Sequence, residues 1–163
     1  MPCKSNKSDC FSYELNDKSK ILDVGCGKGF LLKEIQKILP GITIYGFDIS
    51  RYAIKQIDKK IKKRIIFHQA QKKFPYRSNY FDLVISINTL HNLKNYDLDV
   101  SLKEISRVSK KVYLCVESYR DNKELFNLQC WALTCETFLS KNEWIWLYSK
   151  YKFKGLYEFI YFN

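Results

Sequence analysis

Three glycines alternate with single residues in the run ILDVGCGKGFLL (Ile21 to Leu32), where an apolar stretch of strand character breaks and then resumes with helical spacing. A strand that turns sharply into a helix leaves backbone N–H groups unpaired at the positive helix end, and glycines let an extended ligand lie directly on that backbone. The chemistry served is the holding of a nucleotide-type ligand. The spacing is Gly25-x-Gly27-x-Gly29, with Asp23 just before it; a dinucleotide fingerprint needs one more residue before its third glycine. A phosphate-gripping P-loop is excluded as well, because the four-residue spacer and the Lys-Ser/Thr pair are missing.

A second apolar run, ITIYGFD, ends in Asp48, an acid about 20 residues beyond the glycine loop. In a strand–helix–strand unit a carboxylate there meets a ribose and can accept two hydroxyl hydrogen bonds. His91 has the ordinary pKa of a base at neutral pH, which suits a hydroxyl or amine acceptor; the same residue would equally serve to organise its loop. Trp131 and Glu136, in the segment WALTCE, combine an aromatic wall with a carboxylate, a pairing that fits a sugar or polyol.

These residues need a frame of alternating strands and helices, the pattern of a parallel sheet covered on both faces. Apolar runs predict strands at Lys20–Val24, Thr43–Phe47, Ile65–His68, Leu83–Ile87, Val112–Glu117 and Tyr157–Phe162. Helical spacing predicts helices over Phe30–Leu39, Arg51–Lys63, Leu98–Val108 and Asn122–Ala132, with Pro40-Gly41 stopping the first. Ser140-Lys141-Asn142-Glu143 is a capping box that opens a further helix through Tyr148. Trp144 and Trp146 on that helix read as core residues.

The chain has 163 residues and a formal net charge of +11. That length suits one domain with its own core. Its six cysteines form no CxxC pair and have no histidine at ligand spacing, so no metal site is expected. Free thiols, the lack of a run of roughly 20 apolar residues and the lack of an apolar signal core together predict a cytoplasmic protein without a membrane span.

At this point the residues resemble class I S-adenosylmethionine-dependent methyltransferases, in the small-molecule, type 11-like branch. The resemblance rests on the Asp-Val-Gly-Cys-Gly-Lys-Gly loop, on Gly46-Phe47-Asp48-Ile49-Ser50, and on NYFDLVISINTLHNL (Asn79 to Leu93), which together span about Lys20 to Val112. It implies an α/β fold: a Rossmann-like, doubly wound, mostly parallel sheet with helices on both faces and an antiparallel C-terminal edge strand. It also implies S-adenosylmethionine as cofactor. One domain would then fill residues 1–163, with 1–19 a short N-terminal extension and 118–163 supplying acceptor-side helices and the closing strand. So short an extension suggests an open site, a partner or a chain truncated at its start.

The same resemblance assigns roles. Gly25, Cys26, Gly27 and Gly29 would form the backbone along which the methionine end passes, with Asp23 ordering the loop and receiving the ammonium. Asp48 would take the ribose hydroxyls, and Ile49 would lie on the adenine face. Relatives carry an acid after the third strand for the adenine amino group; in HQAQKKFPY that position is Ala70, leaving Gln69 or Gln71 to substitute through a side-chain carbonyl. Asn88, at the end of the fourth strand, would complete the cofactor site.

Acceptor chemistry is the open part. Base- and glutamine-directed amino methyltransferases carry an Asp/Asn-Pro-Pro-Tyr/Phe stretch after the fourth strand, which this chain lacks. The tail also resembles compact, mostly bacterial methyltransferases in which a Glu-Ser-Tyr-Arg strand end leads to Trp-x-Leu-Thr-Cys-Glu. That places Glu117, Trp131 and Glu136 beside His91 as candidate catalytic residues and implies a small polar acceptor, such as a sugar or related metabolite. RNA or protein is the second acceptor reading, because Lys59-Lys60-x-Lys62-Lys63-Arg64 and Lys72-Lys73 form a basic patch. A third reading is a diverged or partner-dependent fold without catalysis of its own.

Overall fold

The computed structural model describes residues 13–163. Six strands, β1 (Lys20–Val24), β2 (Thr43–Asp48), β3 (Ile65–Phe67), β4 (Leu83–Ile87), β5 (Lys111–Glu117) and β6 (Lys154–Ile160), form one sheet in the order β3-β2-β1-β4-β5-β6. The helices are α1 (Phe30–Ile38), α2 (Arg51–Lys55), α3 (Asn95–Val108), α4 (Asn122–Trp131) and α5 (Lys141–Lys150), with 3₁₀ turns at Lys62–Arg64 and Leu90–Asn92. The Rossmann-like α/β arrangement is the expected one.

Alternation along the strands feeds two apolar layers, because successive side chains point to opposite faces. Leu22, Val24, Val84, Val112 and Leu114 pack on one face with Leu98, Leu102 and Ile105 of α3 and Trp144 and Tyr148 of α5. Ile21, Ile44, Leu83 and Ile85 pack on the other with Leu32 of α1 and with Ile57 and Ile61. The predicted capping box holds α5 in place: Ser140 Oγ accepts the Glu143 N–H, and the Glu143 carboxylate accepts the Ser140 N–H at 2.7 Å. Trp144 is wholly buried, as expected, but Trp146 is 67% exposed. Two positions along a helix is roughly half a turn, so only one of the pair can face the sheet.

Two further expectations are corrected. The second helix stops at Lys55 instead of running to Lys63, because Asp58 forms its own turn, accepting the Lys60 N–H at 2.9 Å and pairing with Lys33 Nζ at 2.7 Å. The basic run Lys59–Arg64 is therefore a turn and a 3₁₀ segment anchored by buried Ile61. The last strand begins at Lys154 and runs parallel to β5, with Lys111 opposite Lys154 and Glu117 opposite Ile160, and it is not an antiparallel edge. An antiparallel neighbour would have to start beside Glu117; here the path through α4 and α5 ends where β5 starts, with Lys154 opposite Lys111. Tyr13 seals that end, donating to the Val112 carbonyl at 2.8 Å and accepting the Leu156 N–H at 3.0 Å. The described part of the N-terminal extension thus lies at the sheet's N-terminal strand ends.

Candidate functional site

The loop after β1 is built by its neighbours. Gly25 and Cys26 donate their N–H groups to the Phe47 carbonyl at 2.9 and 3.0 Å. Gly27 N–H donates to Asp48 Oδ2 at 2.8 Å, while Asp48 Oδ1 accepts the Ser50 N–H at 2.7 Å. Ser50 in turn caps α2, its Oγ accepting the Ala53 N–H at 3.1 Å. Asp48, and not Asp23, thereby orders the loop, joining it to the start of the next helix through two charge-assisted bonds.

Each glycine meets a different constraint. All three adopt left-handed φ, at 80°, 53° and 73°. A Cβ on Gly25 would lie 1.9 Å from Thr89 Oγ1, so this residue lets the loop close on the tip of β4. One on Gly29 would lie 2.9 Å from Ile61 Cδ1, so this residue seats the isoleucine anchor beneath the basic turn. One on Gly27 would meet nothing within 4 Å. Gly27 is the position that presents bare backbone to open space.

A cleft of about 430 Å³ lies across the carboxyl ends of the central strands, where the strand order reverses at β1. Of the residues singled out in the sequence, Gly25, Asp48, Ile49, Ala70, Gln71, Asn88 and Glu136 line it. Asn88 does so from left-handed backbone, at φ 53°, with its N–H on the Cys115 carbonyl at 3.0 Å. Gly27, Gly29 and Cys26 belong to the loop without lining the cleft. Cys26 turns into the core below Gly46, and burial pushes its thiol up. Asp23 sits under the loop, 3% exposed; burial first and the Asp48 charge second raise its carboxyl to about 7.

His91 does not line the cleft. It is 2% exposed, and burial lowers its pKa to about 4, so the ring is neutral at neutral pH. Nδ1 accepts the Glu117 N–H at 3.0 Å, which leaves the proton on Nε2, 3.5 Å from Glu117 Oε2. With its lone pair occupied, the imidazole is placed to hold structure and not to take a proton from an acceptor. Its carbonyl accepts the N–H groups of Glu136 and Thr137 at 2.9 and 3.0 Å, which joins the β4 tip, the end of β5 and the segment before α5. Glu117 is half-buried beside it, with its carboxyl raised by burial. Trp131 ends α4 with 73% of its surface exposed and does not reach the cleft. The sequence pattern put it on a helix without fixing which way that helix faces.

The structure adds lining residues that sequence reasoning passed over. Thr89 faces Gly25, and Asn92, Lys94 and Asp97 continue the wall towards Glu136. They come together through the 3₁₀ turn at Leu90–Asn92, which has no periodicity to betray it. His68, at the end of the predicted third strand, also lines the cleft.

A parallel sheet with a glycine turn after its first strand, an acid ending its second and a cleft over its carboxyl edge defines the Rossmann-like class of nucleotide-cofactor domains. A family model described as a methyltransferase domain matches residues 15–160. The chain belongs to this family of class I methyltransferases, whose methyl donor is S-adenosylmethionine. It is similar to YrhH of Bacillus subtilis, named as a methyltransferase, with 26% identity over 125 residues covering 72% of this chain and 68% of that protein. It is also 29% identical over 116 residues to the mouse protein named arginine-hydroxylase NDUFAF5, covering 71% of this chain but 33% of the relative. Among solved structures, YcgJ of Bacillus subtilis superposes with a TM-score of 0.69 at 18% identity, covering 85% of this chain and 63% of that one. Among the described residues no helix is long and apolar enough to cross a membrane.

The residues present fit the family's donor. The open space beyond Gly27 leaves backbone for an extended ligand, and Asp48 faces the cleft beside the exposed apolar Ile49, as a ribose and its base require.

Proposed function

We propose that this protein transfers a methyl group from S-adenosylmethionine to a small polar acceptor bearing hydroxyl or amine groups, a sugar or related metabolite being the class favoured. The observation that carries this reading is the composition of the cleft lining, where Gly25, Asp48 and Ile49, which follow β1 and β2, are joined by Asp97 and Glu136. When bound, the donor supplies a methyl already activated by its sulfonium, so the protein contributes mainly position.

In this reading Asp48 uses the lone pairs left over from Gly27 and Ser50 for the ribose hydroxyls, and Ile49 covers the base. Asp23 faces the amino-acid end from beneath the loop, where a cationic ammonium offsets the cost of a buried carboxylate. Asp97 and Glu136 accept hydrogen bonds from the acceptor and fix its nucleophilic atom towards the donor. Lys94 and Asn92 add donors on the same wall. His91 acts through position, tying Glu136 to the strand ends.

The basic run supports a small acceptor over RNA. Lys62–Arg64 immediately precede β3, and no residue of the run Lys59–Arg64 lines the cleft. Changing Lys60, Lys62 and Lys63 together to Ser is expected to leave cofactor affinity and small-acceptor turnover unchanged. A specific RNA complex that is lost in this triple variant, with its salt slope lowered by about one unit per lost phosphate contact, would move the function to RNA modification.

Isothermal titration with S-adenosylmethionine and S-adenosylhomocysteine tests the core of the proposal. Both should bind; a folded chain that binds neither at millimolar ligand is not a methyltransferase by itself. Transfer of labelled methyl to a panel of sugars, amines and RNA then ranks the acceptor classes.

A further inference from the structure

Large apolar side chains stand in water around the carboxyl ends of the strands. A helix that follows a parallel strand starts at that edge, which places Phe30, the first residue of α1, and Tyr52, in the first turn of α2. Phe67 closes β3 at the same edge, opposite Asp48. All three are exposed. α4 follows β5, and its Asn127 Nδ2 donates to the Phe162 carbonyl at 3.1 Å, just beyond β6, so this helix also stays at the carboxyl ends. Its Lys123, Phe126 and Cys130 form one outward stripe, while Glu124 and Leu128 are buried on the opposite face. Leu133, past the end of α4, is 96% exposed, and the next residue ties it to the cleft, Thr134 Oγ1 donating to Asn92 Oδ1 at 2.8 Å. Tyr52 and Phe67 therefore lie towards one end of the strand order and Phe126, Trp131 and Leu133 towards the other, with Gly25, Asn88 and Thr89 of the cleft between them.

Cations are interleaved with these side chains. Lys28 Nζ lies 5.5 Å from the centre of the Tyr52 ring, and Arg51 Cζ lies 4.0 Å from that of Phe67. Lys123 heads the α4 stripe. None of the three pairs with a carboxylate among the described residues.

Clustered apolar side chains left in water mark an interaction surface, and two features select its occupant. The core of a protein contact is depleted in lysine, whereas a bilayer interface takes aromatic rings beside Lys and Arg, whose apolar stems sink while their charges stay among the headgroups. The apolar groups also flank an open cleft of about 430 Å³ instead of forming one flat patch, and a deformable layer of headgroups can meet both flanks at once. The formal net charge of +11 adds a long-range attraction to an anionic surface.

We infer that this edge docks on an anionic lipid bilayer, with Tyr52, Phe126, Trp131 and Leu133 entering the interface and Lys28, Arg51 and Lys123 meeting anionic headgroups. Docking needs no cofactor and goes beyond the proposed methyl transfer. Together with that reading, it opens the cleft onto the headgroup layer, so that a polar acceptor carried on a lipid can enter.

The experiment is vesicle sedimentation of the full chain, comparing phosphatidylcholine vesicles that contain about one-quarter phosphatidylglycerol with vesicles of phosphatidylcholine alone. Wild type should partition onto the anionic vesicles at least about tenfold more strongly, and less so as salt is raised. Phe126→Asp combined with Leu133→Asp should lower that partition at least about tenfold. Both side chains are exposed, so the double variant should fold, with circular dichroism as the check. Tryptophan emission reads the orientation. In Trp146→Phe, which keeps Trp131, the emission should shift to the blue on anionic vesicles and be quenched by lipids brominated in their acyl chains; in Trp131→Phe, which keeps Trp146 on α5, it should not. Folded wild type that ignores anionic vesicles overturns the inference, as does partition that survives in the double Asp variant or a blue shift carried by Trp146 alone. Partition lost instead when Lys60, Lys62 and Lys63 become Ser would put the contact on the basic turn and overturn it too. So would a lipid-free dimer, seen by light scattering, that the double Asp variant abolishes, which would give this edge to a second copy of the chain.

Discussion

Asp48→Ala should weaken S-adenosylhomocysteine binding by about 2–4 kcal/mol, roughly 30- to 1000-fold, while the chain remains folded. Two losses add. The carboxylate proposed to meet the ribose disappears, and each charge-assisted bond of that kind contributes about 1.5–3 kcal/mol. The loop also loses its fastening, because Gly27 N–H and Ser50 N–H both end on this side chain. Gly27 has left-handed backbone and no packing contact around a Cβ position, so little else holds its peptide towards the cleft. Asp48→Asn should be milder, since the amide oxygen keeps one acceptor. Titration calorimetry with circular dichroism as a fold control decides the matter: wild-type affinity in the Ala variant would show that the ribose is bound elsewhere.

The second large effect concerns pH. Asp23 is buried with its carboxyl raised to about 7, whereas in the unfolded chain it titrates near 3.8. Between those values the folded state holds a proton that the unfolded state has lost, so this group's stabilising contribution is complete below pH 4 and is lost as pH rises towards 7. Each pH unit inside that window is worth about 1.4 kcal/mol. His91 acts with the opposite sign. Burial lowers its pKa to about 4, so its contribution is present above pH 6.5 and is lost as pH falls. The two slopes cancel in wild type over much of the shared window, and Asp23→Asn separates them. The cofactor-free variant should gain stability relative to wild type by about 2–3 kcal/mol as pH rises from 5 to 7, read from urea midpoints at each pH. Its affinity for S-adenosylhomocysteine should fall at the same time, because the ammonium no longer meets a carboxylate. A wild-type-minus-variant difference that stays flat across this range would mean that Asp23 is already ionised in the folded chain.

These two acids also mark the border between what the chain states in its letters and what folding adds. The nucleotide-type loop was legible because an apolar run, three alternating glycines and an acid at the next strand end each reflect a local backbone requirement. The strands Lys20–Val24 and Leu83–Ile87 were legible to the residue, since a strand buried on both faces must be apolar along nearly its whole length. Local signals failed where a side chain competed with the backbone pattern. Asp58 ended α2 eight residues before the apolar spacing did, and nothing in a periodicity reading weighs one aspartate turn against two buried isoleucines.

The direction of β6 was a matter of path and not of composition: FIYF suits either sense, and the return through α4 and α5 chose parallel. The candidate site divides in the same way. Residues fixed by their own strand ends, Gly25, Asp48, Ile49, Ala70 and Asn88, reached the cleft from sequence position alone. Those whose orientation depends on a neighbouring element did not follow their letters. His91 turned inwards because the Glu117 N–H claims its ring, Trp131 turned outwards on α4, and Asp97 and His68 entered the cleft through packing that no spacing rule encodes. By itself the sequence determined the sheet's central strands and the glycine loop that follows the first of them, because both are set by short-range backbone and burial constraints. The tertiary structure alone decided which polar side chains face the cleft and which are locked into the frame, because each such choice depends on a hydrogen-bond partner distant in the chain.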